Sequence, residues 1–203
     1  MPTSRSLSPV GRPRTLLVAV SLTILAAIGA TACDPLPPLP PAPPGGTSAA
    51  CNDMGWGSGA KRATRMVASE VVRVRTAQHP CFDRMVVDLK SAPAAGWSVR
   101  YHEVTKVGVG AIPIPLRGNA DLEVVAQAPA YGPNGMSVFR PANRWEVADV
   151  AGYQTFRQVA YAGSFEGETT FGLGVRTRLP FRVFALSDKN GTKLVVDVAH
   201  RWP

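Results

Sequence analysis

The chain has 203 residues, 45% of them hydrophobic and 18% charged, a balance that suits a globular domain and excludes a chain too polar to bury a core. Its formal net charge of +8 favours anionic neighbours, but the basic residues are scattered, which argues against a nucleic-acid partner. Arginine far outnumbers lysine, as codon bias in a high-GC genome would produce.

The first element is an export segment. Arg5, Arg12 and Arg14 form a positive start without acids, and an apolar run follows from Leu16 to Ile28. That run is short for a bilayer-spanning helix, which needs roughly 20 apolar residues. Gly29-Ala30-Thr31-Ala32 then leads into Cys33. Ala30-Thr31-Ala32 fits an ordinary signal peptidase site, while Ala-Thr-Ala-Cys resembles a bacterial lipobox with Ala30 where leucine is usual. Cysteine parity favours the second. An exported chain with three thiols leaves one unpaired, and diacylation of Cys33 removes it. Cys51 and Cys81 then remain as one disulfide in an oxidising compartment. The expected product is a lipoprotein on the outer face of the cell membrane, with residues 1–32 removed and an excess of five positive charges left.

Residues 33–50 make a spacer. Pro35, Pro37, Pro38, Pro40, Pro41, Pro43 and Pro44 favour extended polyproline II, and Gly45-Gly46-Thr47-Ser48 closes it flexibly. The folded domain is expected over 51–203. There, short alternating runs rich in Val, Phe and Thr are separated by Gly, Pro and Asn-Gly, the pattern of an all-β fold. Strands are expected at 70–76, 84–90, 97–104, 122–128, 157–162, 168–176, 181–187 and 193–199. A long loop should cover 129–149, with a short helix near 145–150. Asn190-Gly191 suits a hairpin turn, since both residues tolerate positive φ.

Two segments repeat at constant offset. Val72-Arg73-Val74 with Arg84-Met85-Val86-Val87-Asp88-Leu89 matches Phe181-Arg182-Val183 with Lys193-Leu194-Val195-Val196-Asp197-Val198. Two such hairpins suggest related halves of a two-sheet sandwich with internal pseudo-symmetry. In the strand Thr169–Arg176, Phe171, Leu173 and Val175 share one face, and Gly172, Gly174 and Arg176 the other. A face with two glycines admits close approach by a strand, a loop or a sugar ring.

Enzyme templates do not fit. There is no His-Glu-x-x-His, no Gly-x-Ser-x-Gly and no Cys-x-x-Cys, and Gly55-Trp56-Gly57-Ser58-Gly59-Ala60-Lys61 lacks the ending of a phosphate loop. His79, Cys81, His102 and His200 could supply metal ligands, but Cys81 is better assigned to Cys51, so no metal or cofactor is expected. Glu166 and Glu168 flank a glycine and would share a strand face, as a glycosidase pair must. Asp83, Asp88 and Asp197 fit structural ion pairs or turn hydrogen bonds better.

Trp56-Gly57-Ser58 with Lys61, and Val74-Arg75 followed by His79-Pro80-Cys81-Phe82-Asp83-Arg84, resemble the opening of the AMIN-like domains of actinobacterial envelope lipoproteins. The run Phe165-Glu166-Gly167-Glu168-Thr169-Thr170-Phe171-Gly172-Leu173-Gly174-Val175-Arg176 resembles the closing half of that family. So do Pro180-Phe181-Arg182-Val183-Phe184 and Leu194-Val195-Val196-Asp197-Val198, and the resemblance covers roughly 52–200. It implies a β-sandwich distantly related to the AMIN modules that target proteins by binding peptidoglycan, and it supplies no catalytic residues. The expected partner is therefore a wall polymer, with another envelope protein as the alternative and a wall hydrolase as a lesser one. Exposed arginines would pair with stem-peptide carboxylates. By alternation these are Arg73, Arg75, Arg84, Arg176 and Arg182, with Glu166 as a hydrogen-bond acceptor.

Overall fold

A computed structural model describes Cys51 and residues 55–67, 69–90, 95–108, 110, 112–189 and 191–203. The export segment, Cys33 and the proline spacer lie outside the described residues.

Among the described residues the chain forms nine strands: β1 Lys61–Ala63, β2 Val71–Gln78, β3 Phe82–Leu89, β4 Trp97–Tyr101, β5 Ala120–Ala126, β6 Phe156–Phe165, β7 Glu168–Val175, β8 Phe181–Asp188 and β9 Gly191–Ala199. They form a five-stranded sheet in the order β1-β4-β5-β7-β6 and a four-stranded sheet in the order β2-β3-β9-β8. Every pairing is antiparallel. Together they make the expected β-sandwich.

One apolar cluster lies between the sheets. Leu122, Val124, Phe156, Val159, Phe171, Leu173 and Val175 come from the five-stranded sheet, and Val74, Met85, Val87, Phe181, Leu194 and Val196 from the other. Stripping such residues of water supplies the main driving force, at about 1.5–3 kcal/mol per large side chain.

Three differences from the sequence expectations have local causes. The strand β1 is new, a three-residue edge pairing with β4. No helix forms near 145–150. Val147 N–H instead donates to Val159 C=O at 2.9 Å and Tyr161 N–H to Arg144 C=O at 2.7 Å, so this segment runs along the β6 edge. The hairpin between β8 and β9 closes with Asp188 paired to Gly191, so Gly191 opens β9 instead of sitting in the turn; Asn190 lies outside the described residues.

The internal repeat is built into the four-stranded sheet. Val86 faces Val195 across the β3–β9 pair, and the register around them is that of a local two-fold axis between the two repeats. Arg73 faces Asp88 in β2–β3 just as Arg182 faces Asp197 in β8–β9.

The glycine face of β7 is taken by the chain itself. A Cβ on Gly174 would stand 2.2 Å from Arg117 C=O, and one on Gly172 would stand 2.9 Å from a Leu116 methyl. The backbone at 116–117 therefore occupies the close approach that the two glycines permit.

Candidate functional site: the outer face of the four-stranded sheet

On β2 a bulge between Val71 and Arg73 breaks the simple alternation. Val71 and Val74 turn into the core, while Val72, Arg73 and Arg75 point outward. On β3, Met85, Val87 and Leu89 go inward, leaving Arg84, Val86 and Asp88 outside. The same alternation on β8 and β9 presents Arg182 and Asp197 beside them. Four of the five arginines expected at the site thus share one face.

They are organised by two aspartates. Asp88 accepts from Arg73 Nε at 3.0 Å, and from Arg75 Nε and Nη2, each at 2.7 Å. Asp197 accepts from Arg84 Nε at 2.6 Å, Arg84 Nη2 at 2.8 Å and Arg182 Nε at 2.8 Å. Burial works against ionised Asp88, but the hydrogen bonds from Arg75 and Arg73 and their charges outweigh it. Its carboxyl is held below the usual aspartate range. Each aspartate fixes two planar forks, so their remaining N–H groups are presented at set positions.

The surroundings of the two clusters differ. Around Asp197, the guanidinium of Arg182 lies 4.4 Å from the ring centre of Trp56, 5.2 Å from Phe184 and 5.4 Å from Phe82. Arg84 lies 5.2 Å from Phe82 and 5.7 Å from Phe184. Around Asp88 there is instead an open groove of about 650 Å³, lined by Val72, Arg73, Arg75, Asp88, Lys90 and Lys193 among others. Four cationic side chains and one carboxylate line it, which suits an anion.

The other expected site residues lie elsewhere. Arg176 follows β7, where Nε donates to Gln154 C=O at 3.2 Å and Nη2 to His200 C=O at 2.5 Å. It ties loops together. Glu166 occupies the tip of the β6–β7 hairpin with φ 50°, followed by Gly167 at 82°, the two positive angles of a tight primed turn. It lines a separate hollow with Met66, Val107, Phe165, Glu168 and Thr170, so it belongs to the five-stranded sheet and not to the arginine face. Glu168 is in contact with Gln127 Nε2 at 3.4 Å.

Lys90 and Lys193 were not among the expected residues. The repeat contained a signal for Lys193, since it occupies the position equivalent to Arg84.

The histidines do not assemble a metal centre: among the described residues no three His, Cys, Asp or Glu gather as ligands. Cys81 is bonded to Cys51, as parity suggested, with their Cα atoms 5.3 Å apart. His200 Nε2 lies 3.0 Å from Asp83 Oδ1, and His79 stacks on Phe82 with ring centres 4.4 Å apart.

A larger hollow, about 710 Å³, is lined by Tyr101, His102, Glu103, Pro113, Asp121 and Arg178 among others. Burial and the nearby Glu103 charge push the Asp121 carboxyl above its ordinary range. Its acidic side chains make it a poor match for an anionic polymer.

A family model described as the AMIN-like domain matches residues 69–200, which spans β2 to β9 and both aspartate clusters. No curated protein matches the chain.

Proposed function

Because the chain belongs to the AMIN-like domain family, we propose that it is a non-catalytic binding module of the cell envelope that recognises peptidoglycan through the outer face of its four-stranded sheet. The observation that carries this is the gathering of Arg73, Arg75, Arg84 and Arg182 on one face, ordered by Asp88 and Asp197. Wall stem peptides end in carboxylates, and guanidinium forks match carboxylate geometry. The family resemblance supports a wall-associated partner. Purified full-length protein in detergent should sediment with purified sacculi at low salt and release as salt rises, since screening weakens contacts between exposed charges. Folded protein that stays in the supernatant at low salt would overturn the proposal.

In this proposal residues 1–32 are a signal peptide, Cys33 carries the lipid, 33–50 form a stalk and 51–203 the binding domain. The prolines would extend at about 3.1 Å per residue, enough to hold the domain off the membrane and toward the wall. Labelled fatty acid should enter the wild-type protein in its host and be lost in Cys33→Ala. Absence of label from wild type would remove the anchor from the proposal.

A further inference from the structure

The two-fold repeat supplies an internal comparison between its clusters. Arg73 corresponds to Arg182, Asp88 to Asp197, and Lys193 to Arg84, yet the two environments have diverged. In the Asp197 cluster the carboxylate is wholly buried, and the Arg84 and Arg182 guanidiniums are layered with Phe82, Phe184 and Trp56. The Trp56 segment is secured there, because Phe181 N–H donates to Gly57 C=O at 3.1 Å and Arg178 Nε to Ser58 Oγ at 3.2 Å.

In the Asp88 cluster Phe184 is replaced by its counterpart Arg75, and among the described residues no aromatic ring covers Arg73 or Arg75. The Arg73 side chain is 65% exposed against 40% for Arg182. Lys193, whose counterpart Arg84 grips Asp197, bonds instead to the half-exposed Asp188 at 2.6 Å. Among the described residues its ammonium is held by that one pair with a half-exposed carboxylate, and such partly solvated pairs hold a lysine weakly. Lys90 approaches Glu70 at 3.8 Å, also from an exposed position.

We infer that the two halves have divided their roles: the Asp197 cluster is a closed structural element, and the Asp88 groove is an anion site that takes a multi-oxygen anion on Arg73, Arg75, Lys90 and Lys193. Arg73 offers both terminal nitrogens and Arg75 its Nη1, while Asp88 holds the two forks in place as a positioning residue. The anion's chemistry, several oxygens accepting from guanidinium and ammonium donors, is shared by a wall carboxylate and a wall phosphodiester. Its assignment to the envelope rests on the function proposed above; the groove does not.

The test uses full-length protein with nitrogen-15 arginine, titrated separately with inorganic phosphate and with glutarate, while the Nε–H resonances are followed. Shifts at Arg73 and Arg75 with little at Arg84 and Arg182 are expected. The better probe identifies the source, phosphodiester for phosphate and carboxyl for glutarate. Arg73→Gln with Arg75→Gln should weaken binding about tenfold or more, as loss of charged hydrogen bonds predicts. Lys193→Gln, which leaves the aspartate cluster intact, should weaken it by about threefold. Equal shifts in both clusters, no shift with either probe, or binding by the double variant within about twofold of wild type would each overturn the inference. If sacculi fail to bind while phosphate or glutarate still shifts Arg73 and Arg75, the wall partner falls and the anion site stands.

Discussion

Asp83→Ala should lower the stability of the fold by about 3–5 kcal/mol, from the cost of leaving several buried donors unpaired. Asp83 lies on β3 and is wholly buried. Its Oδ2 accepts from Thr155 N–H at 2.6 Å and Phe156 N–H at 3.0 Å, while Oδ1 meets His200 Nε2 at 3.0 Å. One side chain of the four-stranded sheet therefore caps the start of β6 in the other sheet and fixes the residue that follows β9. Removing it strands two backbone N–H groups and a ring nitrogen in a place that water cannot easily reach. Asp83→Asn keeps the shape but has only one carbonyl oxygen, so it should lose less. Urea unfolding of both variants checks this. A loss under about 1 kcal/mol for Asp83→Ala would mean that the loop at 154–156 relaxes to find other partners.

The fold was legible in the sequence because antiparallel strands with one solvated face alternate clearly. Eight of the strands sit within a few residues of where Val, Phe and Thr periodicity puts them. Lys61–Ala63 was not legible, since three residues are too few to show a period, and its pairing with β4 is made over a long sequence separation. The bulge at Val71–Arg73 was hidden too, because a register shift depends on the partner strand.

The candidate site shows the same division. Alternation tells which residues of one strand share a face, and it put Arg73, Arg75, Arg84 and Arg182 on the outward side of their strands. It cannot tell which strands join in a sheet, and so Arg176 and Glu166, which flank β7, were grouped with residues of the other sheet. Asp88 and Asp197 were readable as structural ion-pair partners from their places within strands. What no local pattern could show was that Trp56 covers only one of the two clusters, because that contact joins a segment before β1 to β8.

Breaking the Cys51–Cys81 bond should cost about 3–4 kcal/mol on the chain-entropy account. The two residues are 30 apart in sequence, and the bond ties the segment before β1 to the turn before β3. Cys51→Ser with Cys81→Ser, followed by denaturant unfolding, measures this directly. The same variant separates two explanations for the Trp56 cover. Gly57, Ser58 and Lys61 already hold that segment by hydrogen bonds to Phe181, Arg178 and each other's carbonyls. Lys61 also lies over the Phe181 ring at 4.3 Å. If these contacts suffice, Arg182 should remain shielded in the reduced protein and its Nε–H resonance should stay unmoved. If the disulfide is the main restraint, Trp56 would leave, Arg182 would become as open as Arg73, and the closed cluster would begin to respond to phosphate. The contacts are numerous and partly exposed, so their sum is smaller than one native structure suggests once the ordering entropy of the segment is charged against them. The expected result is a protein that still folds, loses stability, and gains weak anion binding at the Asp197 cluster. A disulfide-free variant of unchanged stability would show that the segment's own hydrogen bonds carry the closure.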